Sequence, residues 1–150
     1  MPYTVRVMPA ASPDALRLIA ALDDDLHVRY PGEETNGIDA ENFEADGGVF
    51  VVGYLNGEAV SCGGLRPFEG DIEVKRMFVV AEHRGRGLAR GLLSFLEDIA
   101  RKRGFKRAIL ETGSGQPEAI ALYERSGWIR CPNFGKYIGN EWSVCFEKHL

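Results

Sequence analysis

The stretch that most constrains this 150-residue chain is residues 71–95. It reads Asp-Ile-Glu-Val-Lys-Arg-Met-Phe-Val-Val, then Ala-Glu-His-Arg-Gly-Arg-Gly-Leu-Ala-Arg-Gly, then Leu-Leu-Ser-Phe. An apolar strand passes through a turn of Arg and Gly into an amphipathic helix. That order sets a helix N-terminus, with its unpaired backbone N–H groups, at the end of a strand. The terminus carries roughly half a positive charge and suits an anion. Gly85 and Gly87 let a ligand approach the backbone with no Cβ in the way. Arg84, Arg86 and Arg90 add cationic charge around the same point. A ligand bearing phosphate, gripped at this turn, is the first expectation.

Two common glycine loops do not fit. A P-loop needs Gly-x-x-x-x-Gly-Lys-Ser/Thr, and no such string occurs. A dinucleotide fingerprint starting at Gly85 would place Arg90 where Gly or Ala is needed for close helix packing.

The net charge of −4 opposes bulk nucleic-acid binding, which needs a basic surface to release counterions. The Lys and Arg residues cluster locally, which suits a small polyanion better than a duplex. The three cysteines, Cys62, Cys131 and Cys145, form no disulfide framework and no Cys-x-x-Cys pair, so a reducing cytoplasm is expected. No residue pattern shows metal-ligand spacing. No apolar run approaches the ~20 residues that span a bilayer, and no signal pattern opens the chain.

In chain order, residues 3–8 alternate as a first strand. Ser12-Pro13 starts a helix that runs to about residue 27, with Leu16, Ile19, Leu22 and Leu26 at helical spacing. Residues 30–37 read as a polar connection and 38–46 as a short helix or a loop. Residues 49–55 and 58–66 form a hairpin about Asn56-Gly57, and 69–71 turn into the strand of the opening stretch. A helix over 87–103 closes at Gly104. Residues 105–111 then run parallel to the earlier strand through a right-handed crossover. Pro117 opens a helix over 118–125, a short strand covers 128–130, a loop 131–140, and a last strand 141–147. The expected architecture is one domain over 1–150 of mixed α+β class, with helices on both faces of the sheet.

The string Arg84-Gly85-Arg86-Gly87-Leu88-Ala89 resembles the acyl-CoA pyrophosphate loop of the GNAT superfamily of N-acetyltransferases, Arg/Gln-x-x-Gly-x-Gly/Ala. Downstream, Ala119-Ile120-Ala121-Leu122-Tyr123-Glu124-Arg125-Ser126-Gly127-Trp128 is similar to that family's Ala-x-x-Leu-Tyr-x-x-x-Gly-Phe/Trp segment. The resemblance implies the GNAT fold: a twisted, mostly antiparallel sheet whose fourth and fifth strands splay apart around acyl-CoA. It also implies transfer of an acetyl group from acetyl-CoA to an amine.

Under that resemblance, the backbone of Phe78 and Val79 pairs with pantetheine amides. The N–H groups from Arg84 through Gly85, Arg86, Gly87 and Leu88 to Ala89 hold the pyrophosphate, with the Arg side chains assisting. Tyr123 matches the family's general acid, which protonates the departing thiolate. Glu73 stands where some members carry a general base, and strand alternation groups it with Lys75 and Met77. Gln116 stands in for an Asn that many relatives carry. His27, Tyr30, Glu33, Phe134 and Tyr137 are candidates for the acceptor side. The acceptor is a small-molecule or peptide amine, the protein a monomer or homodimer, and no metal, nucleic acid or membrane is implied. A non-catalytic acyl-CoA-binding module is the alternative from another class; retention of both Glu73 and Tyr123 speaks for catalysis.

Overall fold

The computed structural model describes residues 2–34 and 37–150, so the connection expected over 30–37 lies partly outside the described residues. The strands are β1 (Tyr3–Val7), β2 (Val49–Leu55), β3 (Glu58–Phe68), β4 (Asp71–Val79), β5 (Arg107–Gly113), β6 (Ile129–Cys131) and β7 (Ser143–His149). The helices are α1 (Pro13–Arg29), α2 (Leu88–Lys102) and α3 (Pro117–Arg125). Among the described residues these strands form a single seven-stranded sheet in the order β1-β2-β3-β4-β5-β7-β6. Every pairing is antiparallel except β4 with β5. That exception follows from α2, because a helical crossover between neighbouring strands returns the second in the direction of the first.

Local chemistry sets the ends of these elements. Ser12 caps α1 by accepting from the Ala15 N–H, and Pro13 follows at the first helical position. Asn56 and Gly57 both take positive φ (52° and 81°), as a two-residue turn matched to strand twist requires. Residues 38–46 form turns without a helix. Phe43 anchors that loop, buried edge-on against Phe50.

The sheet is covered on both faces. Leu92, Leu93 and Leu96 of α2, with Tyr123 of α3 and Trp128, pack on Val51, Leu65, Val74, Leu110 and Phe146. On the opposite face Leu18 of α1 and Phe43 pack on Phe50, Val52 and Cys62. Each fully buried aliphatic side chain contributes about 1.5–3 kcal/mol, so these two layers fix the sheet while its middle opens.

The opening begins early in β4. Only Ile72, Glu73 and Val74 pair with β5, opposite Ala108, Ile109 and Leu110, and beyond that point the strands diverge. The β3–β4 register also slips between Cys62 and Gly64, and Arg76 adopts φ 58°. This is a β-bulge, which inserts one residue and re-aims the side chains beyond it. The expected grouping of Met77 with Glu73 and Lys75 is therefore wrong. Met77 packs toward the α2 face, while Arg76 is turned under α1, bonded to the Asp23 carboxylate and the Ile19 carbonyl.

Candidate active site

Two cavities meet at the fork between β4 and β5. The larger, about 450 Å³, is a groove lined by Met77, Phe78 and Val79 of β4, by the turn and first residues of α2, and by Ala119, Leu122 and Tyr123 of α3. The smaller, about 150 Å³, lies toward α1 and the loop before β7, and Glu73, Lys75, Glu111 and Tyr137 are among its walls. Tyr123, Gln116 and Ala119 line both.

The groove fits a diphosphate. Gly85 and Gly87 both stand at φ 78°, and nothing lies within 4 Å of where a Cβ would sit on either. Gly87 is the N-cap of α2 and supplies no side chain to the orphan N–H groups behind it, so these remain available to an anion. Arg84, Arg90 and Arg125 stand around the groove. The His83 Nδ1, also at its wall, is buried without a hydrogen-bond partner among the described residues. The walls along β4 and α3 are apolar, as a long acyl-carrying arm requires. The residues present thus suit acyl-CoA.

Two expectations for this groove change in detail. Val80 donates its N–H to the Val60 carbonyl at 2.9 Å. By the alternation of an antiparallel ladder, Val79 therefore turns its own backbone groups to the open side, and Phe78 turns its groups toward β3. Of the two, Val79 is thus the residue whose backbone faces the groove, and Phe78 offers its ring to the wall. The Arg side chains also differ from one another. Arg84 folds back, its Nε donating to the Val79 carbonyl at 2.9 Å and its guanidinium lying 5.6 Å from the Phe78 ring centre. Arg86 is exposed and does not line the groove.

Gln116 caps its own turn. Its Oε1 accepts from the Gly113 N–H at 3.2 Å and from Thr112 Oγ1 at 3.3 Å, so its carbonyl oxygen serves the loop while the residue borders both cavities.

Tyr123 forms part of the wall shared by the two cavities. Its ring is buried against Trp128 and Phe146, and no described group hydrogen-bonds its hydroxyl, so its O–H is unspent. Burial, with the Glu111 charge nearby, pushes its pKa well above the ordinary phenol value. The proton therefore stays on the oxygen at any physiological pH.

Glu73 is 1% exposed. Its Oε1 accepts from Arg66 at 3.0 Å, and its Oε2 accepts from the Tyr137 hydroxyl at 3.2 Å and lies 3.7 Å from the Lys75 ammonium. Lys75 Nζ donates to the same Tyr137 oxygen at 3.0 Å. Both carboxylate oxygens are thus engaged by neighbouring donors. Glu73, the residue expected to act as base, lines the smaller cavity and is held by these three partners. It ties β4 to the Tyr137 loop.

Glu111 is the carboxylate the sequence did not single out. It sits one residue beyond the last β4–β5 pair, half-buried, on the wall of the smaller cavity. Ser143 Oγ donates to it at 2.7 Å, and no cation lies within ion-pair distance among the described residues. Burial raises its pKa above the usual carboxylate value. Its signal in the sequence was the step from an apolar Ala-Ile-Leu run to a charged residue near the end of a buried strand.

The other acceptor-side candidates divide. Tyr30 lines the smaller cavity; its hydroxyl accepts from the Gly115 N–H at 2.9 Å. A Cβ on Gly113 would stand 1.9 Å from that hydroxyl, so glycine there is what lets α1 close over the fork. Arg29 adds to the closure through Glu118 and the Gly115 carbonyl. Glu33 borders the same cavity, as does Tyr137. His27 is exposed at the end of α1 and reaches neither cavity. Phe134 lines neither; it packs between Phe68 and Tyr137 at 5.6 and 5.3 Å and supports Tyr137 from behind. Trp142, half exposed, was also missed and forms an edge contact with Tyr30 at 6.5 Å.

A forked sheet, a glycine-lined anion cradle and an unspent phenol between two cavities describe an acyltransferase site. Residues 17–128 match the model of the Acetyltransferase (GNAT) family. The chain belongs to the GNAT family and is an acetyltransferase. It is 37% identical over 137 residues to an IAA acetyltransferase of Azospirillum brasilense, a match covering 90% of each chain. A solved Klebsiella pneumoniae protein described as an acyl-CoA N-acyltransferase superposes with a TM-score of 0.84 at 33% identity, covering 99% of this chain and 97% of that one. A GNAT acetyltransferase from Elizabethkingia anophelis with acetyl-CoA bound shares the fold at a TM-score of 0.72 and 17% identity, covering 99% and 98%.

Proposed function

We propose that the chain, as one domain, transfers an acetyl group from acetyl-CoA to the primary amine of a small molecule by direct attack. The carrying observation is the unbonded hydroxyl of Tyr123, whose ring is buried, on the wall between a groove suited to acyl-CoA and a second, smaller cavity. When bound, acetyl-CoA supplies an acetyl thioester. The backbone of Val79 and the N–H groups from Gly85 to Ala89 bind and orient it, with Arg90 and Arg125 facing its phosphates. The acceptor enters the smaller cavity, whose 150 Å³ suits a small molecule better than a folded polypeptide.

An amine near pKa 10 carries no free electron pair while protonated. Glu111, reachable from the cavity and holding its proton affinity high, takes that proton. Tyr123 holds a proton at its oxygen for the departing sulfur. The amine nitrogen thus gains the acetyl group and sheds two protons in all: one passes to Glu111 before attack, and the second restores Tyr123 after its own proton has gone to the departing thiolate. The α1 roof, held by Tyr30 and Arg29 on the Gly113–Gly115 turn, keeps bulk water from the fork.

The test is thiol release from acetyl-CoA over an amine panel, with Tyr123→Phe beside the wild type. The substitution should lower kcat by about 10²–10⁴ and leave the calorimetric affinity for CoA within a few-fold. Unchanged turnover would remove Tyr123 from the chemistry.

A further inference from the structure

Lys75 and Glu111 face one another across the fork. Val74 and Leu110 are the last residues of β4 and β5 to pair, so these two are the next in line, and both line the smaller cavity. They carry opposite charges but form no ion pair with each other within 4 Å. Each is held instead by a neutral hydroxyl: Lys75 by Tyr137 at 3.0 Å, Glu111 by Ser143 at 2.7 Å. Arg66 bonds Glu73, and Arg76 turns one terminal nitrogen under α1 to Asp23 and the Ile19 carbonyl, its Nε standing without a partner among the described residues. Lys75 has one hydrogen bond and a 3.7 Å contact with Glu73, against the three donors of an ammonium. Lys75 is thus a cation at this wall with donors left for a ligand.

A buried positive group and a half-buried negative group, set apart on two sides of one small chamber, complement a zwitterion. Building on the transfer reading above, we propose that the acceptor is a free amino acid. Its carboxylate lies on Lys75 and its amino group lies against Glu111. A simple amine or a peptide N-terminus would bring a cation beside Lys75 with no anion to answer it, and like charges in a half-dry site repel. A free amino acid brings both charges, and its side chain has Leu22, Leu26 and the Trp142 ring to rest on.

The experiment compares each of several amino acids with its own carboxamide and its decarboxylated amine in the thiol-release assay. It also titrates the preferred acid calorimetrically into protein saturated with CoA. Acids should exceed their amides in kcat/KM by at least tenfold. Lys75→Met should abolish the binding heat and collapse that ratio, and Lys75→Arg should restore much of both. Amides or amines turned over as well as acids would overturn the inference while leaving the transfer reading intact, and the acid–amide comparison needs no variant to fold. Turnover of no acceptor, with CoA binding preserved, would sink the transfer reading and this inference together.

Discussion

The groove and the chamber that meet at Tyr123 are built in opposite ways. The groove draws its anion cradle mainly from one contiguous run, residues 79–90, with Arg125 of α3 beside it, and works through backbone amides and the absence of side chains at Gly85 and Gly87. The chamber draws on α1, β4, β5, the loop before β7 and β7 itself, and works through charged side chains that meet across 30 to 70 positions of sequence, as Glu73 and Tyr137 do. A site made of local backbone geometry tolerates little change, because the geometry is the function. A site made of convergent side chains can alter its ligand one residue at a time. The cofactor end should therefore answer mutation through affinity, and the acceptor end through chemistry and selectivity.

The largest effect that would break this division concerns the two carboxylates of the chamber. Glu111→Gln keeps the Ser143 contact but cannot take a proton, so kcat should fall about 10²–10⁴ with the amine charged. Raising the pH, which deprotonates the amine in solution, should recover part of the loss. Glu73→Gln should act on the fold. It removes a charge that answers Arg66 and Lys75, and an uncompensated buried cation costs on the order of 3 kcal/mol. The readout is a lowered melting temperature with a smaller loss of kcat per folded molecule than Glu111→Gln shows. If Glu73→Gln lost as much turnover at unchanged stability, the base would be Glu73 after all.

A smaller effect tests the groove. Gly87→Ala places a methyl at φ 78°, in space open to the ligand. The backbone strain is of order 1 kcal/mol, and the methyl obstructs the approach of a diphosphate to the α2 amides. The dissociation constant for CoA should rise about tenfold by calorimetry, with kcat at saturation nearly kept. A fall in kcat at unchanged affinity would mean that the turn shapes the chemistry instead.

The same contrast explains what could be read before the fold was known. The turn from Arg84 to Ala89, the Asn56-Gly57 hairpin and the α2 periodicity are local patterns, and each stands where the string puts it. The bulge at Arg76 is not local in that sense. It depends on how Gly63 of β3 meets β4, so alternation alone misplaced Met77. Glu73 was legible as a carboxylate on β4 but not as one already claimed, since Arg66, Tyr137 and Lys75 reach it from a neighbouring strand, a distant loop and its own strand. Glu111 went unread because a lone acidic residue in a strand means nothing until the strands on either side part. His27 and Phe134 show the converse: plausible residue types near the right segments, turned the wrong way.

The finest test of the chamber is a titration. Burial lowers the Lys75 pKa from 10.5 to about 8, against the pull of Glu73; Lys136 and Arg66 push in the same direction as burial, and Glu111 opposes them. Tyr137 also faces this ammonium, but its own pKa is raised by burial, so its hydroxyl stays neutral throughout the range. The carboxylate of an amino acid is charged at every relevant pH. Its hold on Lys75 therefore weakens as the ammonium loses its proton. Between pH 7 and 8.5 the charged fraction of a group with pKa 8 falls roughly fourfold, and KM for the acid should rise by about that factor. In Lys75→Arg the cation persists and this limb should vanish, while a decarboxylated amine should show no such limb in either protein. Stability moves the other way. The folded chain releases the Lys75 proton near 8 and the unfolded chain near 10.5, so folding is penalised most fully below about pH 8. The penalty lifts as pH rises from 8 toward 10.5. Measured as the difference in melting temperature between wild type and Lys75→Met, the wild type should gain on the variant across that window. A difference flat with pH would place the ammonium in water, where it could not discriminate an acid from its amide.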